Sequence, residues 1–301
     1  MHSSECVASY GAPPSTWTPS STQGSDNGSY SGSKGTGATH TVIVAPTQGV
    51  LRYIPFAVNA SVGDTVMFVW GANNHTVTKS SQLELCNKTS DAPFASGEQN
   101  APFTFTQVVN STDTTFFYCG TPGHCQKGMF GMINPPSVYN AATSVSQSMS
   151  SMVSNSSDLA SMMAYTNTLT NGNEKAANWG QNIDISGLPD WSHSAVMENV
   201  LYTRAFLGAN PETIKDDGSV DLSGNTPKMI PTDMANVNTA VDNAQSASGT
   251  PSSSAAAGAS TAASSSTPSA SATGQGNGAA STAASTALLG VAAFAAAVLA
   301  F

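Results

Sequence analysis

From Thr39 onward, short β-branched and aromatic runs alternate with clusters of Gly, Pro and Asn. Thr41 to Val44, Leu51 to Phe56, Thr65 to Trp70, His75 to Thr78, Phe103 to Thr106, Thr114 to Tyr118 and Met129 to Ile133 each read as a strand, and Pro135-Pro136 closes the series. Runs of this length and punctuation predict a β-sandwich. Roughly 100 residues with about seven strands suffice to bury one core. Beyond residue 140 the period changes. Val145, Met149, Met152, Leu159 and Met163 recur at helical intervals, as do Val196, Val200 and Leu207 before Gly208. Two or more helices are expected there, as a small subdomain or as a brace on the sandwich. Trp179 and Trp191 mark that stretch as packed.

The flanks carry almost no apolar pattern. Residues 1–37 are rich in Ser, Gly, Thr and Pro and are expected as a disordered arm. The sandwich is assigned to 38–138, the helical segment to 139–243 and a Ser/Thr/Ala-rich, O-glycosylated stalk to 244–286. Residues 287–301 form an uncharged apolar tail of the kind that signals a glycolipid (GPI) anchor, with Asn277 or Gly278 as the attachment residue. The tail is short for a membrane span and has no basic residue after it. An anchor requires entry into the secretory pathway, yet Met1 to Tyr10 lacks the apolar core of a signal peptide, so either a leader upstream of Met1, the favoured reading, or an unconventional entry is expected.

Charge narrows the partners. Only 9% of residues are charged and the net charge is -9. Residues 38–138 contain four basic side chains (Arg52, Lys79, Lys88, Lys127) and five acidic ones (Asp64, Glu84, Asp91, Glu98, Asp113). No basic patch is available for a phosphate backbone, so nucleic acid is not an expected partner. Glycosylation sequons occur at Asn27, Asn59, Asn87, Asn110 and Asn155, and also at Asn74, where a glycan would crowd His75 and is not expected.

The chemistry lies in Cys119-Gly120-Thr121-Pro122-Gly123-His124-Cys125-Gln126-Lys127-Gly128-Met129. A thiolate, an imidazole and a thioether fall within eleven residues, and Asn74-His75-Thr76-Val77 supplies a second imidazole. Alone, Cys119 reads as a buried or disulfide-bonded cysteine, His124 as a surface residue, Met129 as core and His75 as structural. Together, two His, one Cys and a weakly held Met are the donor set of a blue-copper centre. Three donors on one tight loop and a fourth from a neighbouring strand make a site that need not rearrange when copper changes charge. Zinc suits the set less, because a thioether is a poor fourth donor for it. No open coordination position is implied, so no enzyme is expected. With Cys119 as a ligand, Cys86 and Cys125 are the natural disulfide pair, Cys6 is left over, and an oxidising compartment is implied. His2, His40 and His193 have no partner at ligand spacing and are expected at the surface.

Phe117-Tyr118-Cys119, Gly123-His124-Cys125, Gly128-Met129, Asn74-His75-Thr76-Val77 and Val62-Gly63-Asp64-Thr65-Val66 give residues 38–138 a resemblance to the cupredoxins. Within that family the chain resembles the phytocyanin-type and the fungal anchored, serine-rich plastocyanin-like proteins. The resemblance implies a Greek-key β-sandwich holding one type 1 copper ion through His75, Cys119, His124 and Met129. It implies a disulfide at the Cys after the second His, supporting Cys86–Cys125. The exposed edge of His124, amid Pro122, Gly123 and Phe130, is the implied electron port. A monomer is implied that carries single electrons between extracellular redox partners, tethered to the outer leaflet of the plasma membrane and near the cell wall. A copper-buffering surface protein and a structural or adhesive wall protein fit the same residues. Many members carry Asn directly after the first His. Thr76 stands there, so the hydrogen bond steadying the Cys loop is expected to be made differently or to be weaker.

Overall fold

The computed structural model describes residues 15–18, 29–91 and 94–235. Cys6, His2, Asn27, Asn277, Gly278, the stalk and the tail lie outside them. The strands are β1 (Ser15–Trp17), β2 (Ser29–Gly32), β3 (Thr39–Val44), β4 (Tyr53–Ile54), β5 (Ala57–Val58), β6 (Thr65–Trp70), β7 (Thr78–Ser80), β8 (Phe103–Val108), β9 (Thr115–Tyr118) and β10 (Phe130–Ile133). Four helices come next, α1 (Val145–Ser154), α2 (Ser157–Leu169), α3 (Glu174–Asn178) and α4 (Asp190–Ala209), and then β11 (Lys228–Ile230).

Two sheets make a mainly β sandwich, ordered β2-β8-β6-β3-β4 and β5-β10-β9-β7. The run from Leu51 to Phe56 proves to be a corner rather than one strand. β4 pairs with β3 in the first sheet and β5 with β10 in the second. Between them stands Pro55, which has no N–H to give a ladder.

The alternation along β3 and β6 explains the helices. Val42, Val44, Val66, Phe68 and Trp70 face the sandwich interior, where Phe105, Phe117, Phe130 and Met132 meet them. Ile43 and Val69 face the other way and are buried with Ile54 under Tyr202, Phe206 and Leu207 of α4. A sheet covered on both faces reads as an unbroken apolar run, which is what Thr65 to Trp70 shows. The helical extension is thus a brace. Val145, Met149, Leu159, Met162, Val196 and Val200 join the same core as the sandwich.

Local chemistry sets the helix ends. Ser144 and Ser156 are N-caps whose side chains accept from the N–H groups of Gln147 and Leu159. α4 runs through Gly208 rather than stopping before it. A Cβ there would lie 2.6 Å from the Leu169 carbonyl oxygen, so glycine lets α4 pass close to the end of α2.

The arm expected over 1–37 needs correction within its described part. β1 pairs antiparallel with β11, and Trp17 is buried beside Ile230 and Leu222. β2 adds parallel to β8 as an edge strand. Backbone pairing holds β2, and backbone pairing together with the buried Trp17 holds β1.

Candidate metal centre

His75 sits just before β7, in an isolated bridge rather than within a ladder. Its N–H donates to the Gln99 carbonyl at 3.2 Å and its carbonyl accepts from Gln99 N at 2.9 Å. The Trp70 indole also donates to the His75 carbonyl, at 3.0 Å. Asn74 takes φ +64 in the preceding turn, a conformation that Asn tolerates. The imidazole is held by its backbone at the sandwich end.

Cys119 directly succeeds β9, and the loop to β10 returns past it. Cys119 N donates to the Met129 carbonyl at 3.0 Å, and Met129 N donates to the His124 carbonyl at 3.1 Å. The main chains of the three loop residues are therefore wired together. Gly128, at φ +94, ends the short helical turn Cys125–Lys127 before Met129. The Cys86–Cys125 disulfide ties this turn to the connection after β7, with the sulfurs 2.07 Å apart.

The side chains converge. Cys119 Sγ lies 3.7 Å from His75 Nδ1 and 3.5 Å from His124 Nδ1, and all three donor atoms fall within 4.8 Å of one another. A metal about 2.3 Å from sulfur and about 2.0 Å from nitrogen, with roughly 120° between bonds, sets such atoms about 3.7 Å apart. The two sulfur–nitrogen separations fit one ion that all three residues would hold. Met129 is fully buried, and its backbone bonds tie it to Cys119 and His124.

Electrostatics favour neutral nitrogen donors. Burial, aided by His124, lowers the His75 pKa to about 4. Burial also lowers that of His124, aided by Lys127 and opposed by Glu98. His75 Nε2 is buried and makes no hydrogen bond among the described residues. His124 is partly exposed, next to exposed Pro122 and Gly123. Phe130, expected at that rim, is instead buried and meets Trp191 of α4 edge-on at 6.2 Å.

The position after His75 does its work through a hydroxyl. Thr76 Oγ1 accepts from Gly120 N at 2.6 Å, and Thr76 N donates to Cys119 Sγ at 3.4 Å. Thr121 Oγ1 adds a bond to the Asn74 carbonyl at 2.8 Å.

Other predicted residues lie apart. Asn59, Asn87, Asn110 and Asn155 are exposed, as is Asn74. His40 is half-buried and bonds Asp64 Oδ2 at 2.8 Å, and His193 faces the Leu188 carbonyl at 3.1 Å. A cleft of about 860 Å³ between sandwich and extension includes Asn59, Trp179 and Lys215, and none of the four proposed ligands lines it. The sequence reading missed Arg52, Asn199 and Asp233, which meet next to Gly128. Arg52 carried a signal, as a charge inside an apolar run.

Residues 55–129 match the plastocyanin-like domain family. The sandwich is a cupredoxin domain. Cupredoxins bind copper, and this one presents the His–Cys–His cluster for it. Over 114 residues the chain is 33% identical to "Probable GPI-anchored cupredoxin-1" of Arthroderma benhamiae, covering 38% of this chain and 61% of that protein. It is 32% identical over 108 residues to an "Extracellular serine-rich protein" of the same fungus, covering 34% and 42%. The chain thus spans less than two thirds of either relative. Among solved structures, the purple cupredoxin of Nitrosopumilus maritimus is 19% identical with a TM-score of 0.26, over 31% of this chain and 96% of that one. Auracyanin A of Chloroflexus aurantiacus is 17% identical with a TM-score of 0.27, over 32% and 96%.

Proposed function

We propose that this is a cell-surface type 1 copper protein that carries single electrons between extracellular redox partners. One observation carries the reading: His75 Nδ1, Cys119 Sγ and His124 Nδ1 converge at spacings that fit one ion, with only His124 partly open to solvent. Bound copper supplies a one-electron Cu(II)/Cu(I) couple. Cys119 would hold the ion as the thiolate, His75 and His124 as neutral imidazoles, and Met129 as a soft thioether. His75, Cys119 and Met129 are buried, which keeps bulk water from these side chains. Backbone bonds among Cys119, His124 and Met129 keep the donors in place in both charge states. The partly exposed His124 edge, with Pro122 and Gly123, is the port for a partner. No catalytic step is assigned.

Chemistry and kinship support the location. A disulfide joining Cys86 and Cys125 suits an oxidising compartment. The matched relatives are named for a GPI anchor and for an extracellular place. On this reading the tail directs attachment at Asn277 or Gly278, the exposed sequons carry glycans, and the protein acts as a monomer on the outer leaflet.

The copper-loaded protein should show an intense visible thiolate-to-copper band, reversible one-electron reduction and fast self-exchange. Cys119→Ser should abolish the band while leaving the fold intact. A colourless copper-loaded protein refutes the assignment. A coloured protein with slow self-exchange indicates copper storage instead.

A further inference from the structure

Arg52 lies at the junction of sandwich and extension, fully buried. Its Nε and Nη2 donate to the Asp233 carboxylate at 3.1 and 3.2 Å, and Nη2 also donates to Glu198 at 3.1 Å. Its Nη1 donates to Asn199 Oδ1 at 3.0 Å. A guanidinium can only donate, so this contact fixes which end of the Asn199 carboxamide faces it. Asn199 Nδ2 is thereby turned to the Gly128 carbonyl, to which it donates at 2.9 Å.

Gly128 is the residue before Met129. A Cβ at Gly128 would stand 2.9 Å from Arg52 Nη1, so the loop needs glycine to lie against the guanidinium. The peptide joining Gly128 and Met129 is consequently held on both sides. Its N–H goes to His124 within the copper loop, and its carbonyl accepts both from Phe130 N at 2.9 Å and, across to α4, from Asn199.

We propose that Asn199, oriented by Arg52, is a positioning residue for Met129. The helical extension then sets how firmly the thioether is presented to copper. This rests on the copper reading above, with Met129 as the axial ligand. A thioether favours soft Cu(I) over Cu(II), so loosening it weakens Cu(I) binding more.

The test uses the full chain with Asn199→Ala and Asn199→Asp, each in wild-type and Met129→Leu backgrounds. Affinities for Cu(I) and Cu(II) are measured by chelator competition, and the ratio of the thiolate-to-copper bands is recorded. Asn199→Ala should weaken Cu(I) binding about tenfold, Cu(II) binding by less, and alter the band ratio. Asn199→Asp keeps the shape and the contact to Arg52 but cannot donate to Gly128, so it should do the same. Both effects should vanish when position 129 is Leu. An equal loss for both oxidation states, a loss that persists with Met129→Leu, or no change overturns the proposal. If Asn199→Ala does not fold, Asn199→Asp decides; failure of both to fold assigns Asn199 a structural role and also overturns it. A wild-type protein without the visible band overturns the copper reading itself, before any variant is compared.

Discussion

Thr76 links the two segments that carry the donors, using one small side chain. Its hydroxyl reaches Gly120 N, 44 positions away in sequence and adjacent to Cys119. Thr76→Ala leaves that N–H without its partner in a part-buried site. The expected loss is about 1–3 kcal/mol, read by urea unfolding of the copper-free protein. His75 governs a second residue-level effect. Its pKa falls from 6.5 to about 4 on folding. Between those values the unfolded chain binds the extra proton, so the copper-free protein loses stability as pH falls from about 6.5 towards 4. Unfolding measured across this range should show the slope, and His75→Gln should flatten it. His124 and Met129 stood out as candidates because they follow Cys119 so closely, whereas His75, 44 positions earlier, stood out only as a second imidazole on an apolar run. The role of Thr76 was not, because a hydrogen bond between distant segments leaves no mark on local spacing.

Among elements, the Cys86–Cys125 bridge anchors the copper loop across a separation of 39 residues. Closing a loop of that length is worth about 4 kcal/mol through the unfolded chain. Replacing both cysteines by Ser should lower unfolding stability by about that amount, measured in guanidinium without reductant. β3, β6, β8 and β9 could be read from β-branched and aromatic runs, and α1, α2 and α4 from their apolar period. β1 and β2 could not. Ser15-Thr16-Trp17 and Ser29-Tyr30-Ser31-Gly32 have too little apolar alternation, and their place depends on distant partners, β11 and β8. The break between β4 and β5 was likewise hidden, because apolar residues flank Pro55 on both sides and face different sheets.

At the scale of the molecule, the cupredoxin domain depends on the helical extension packed against it. A fragment of residues 29–138 would expose Ile43, Ile54 and Val69, each worth about 1.5–3 kcal/mol when buried. It would also deprive Arg52 of Asp233 and Glu198; breaking a buried ion pair of this kind costs about 3–5 kcal/mol. The fragment should therefore partition to the insoluble fraction, or elute as aggregate in size-exclusion chromatography. A monomeric fragment with wild-type copper affinity would contradict this account.

Arg52 and Asp233 stand 181 positions apart. A ribosome delivering the chain from its N-terminus has released every proposed donor atom once Met129 emerges, yet both counter-charges for Arg52, Glu198 and Asp233, come later. A product interrupted before position 198 carries every proposed ligand while Arg52 still lacks both acidic partners.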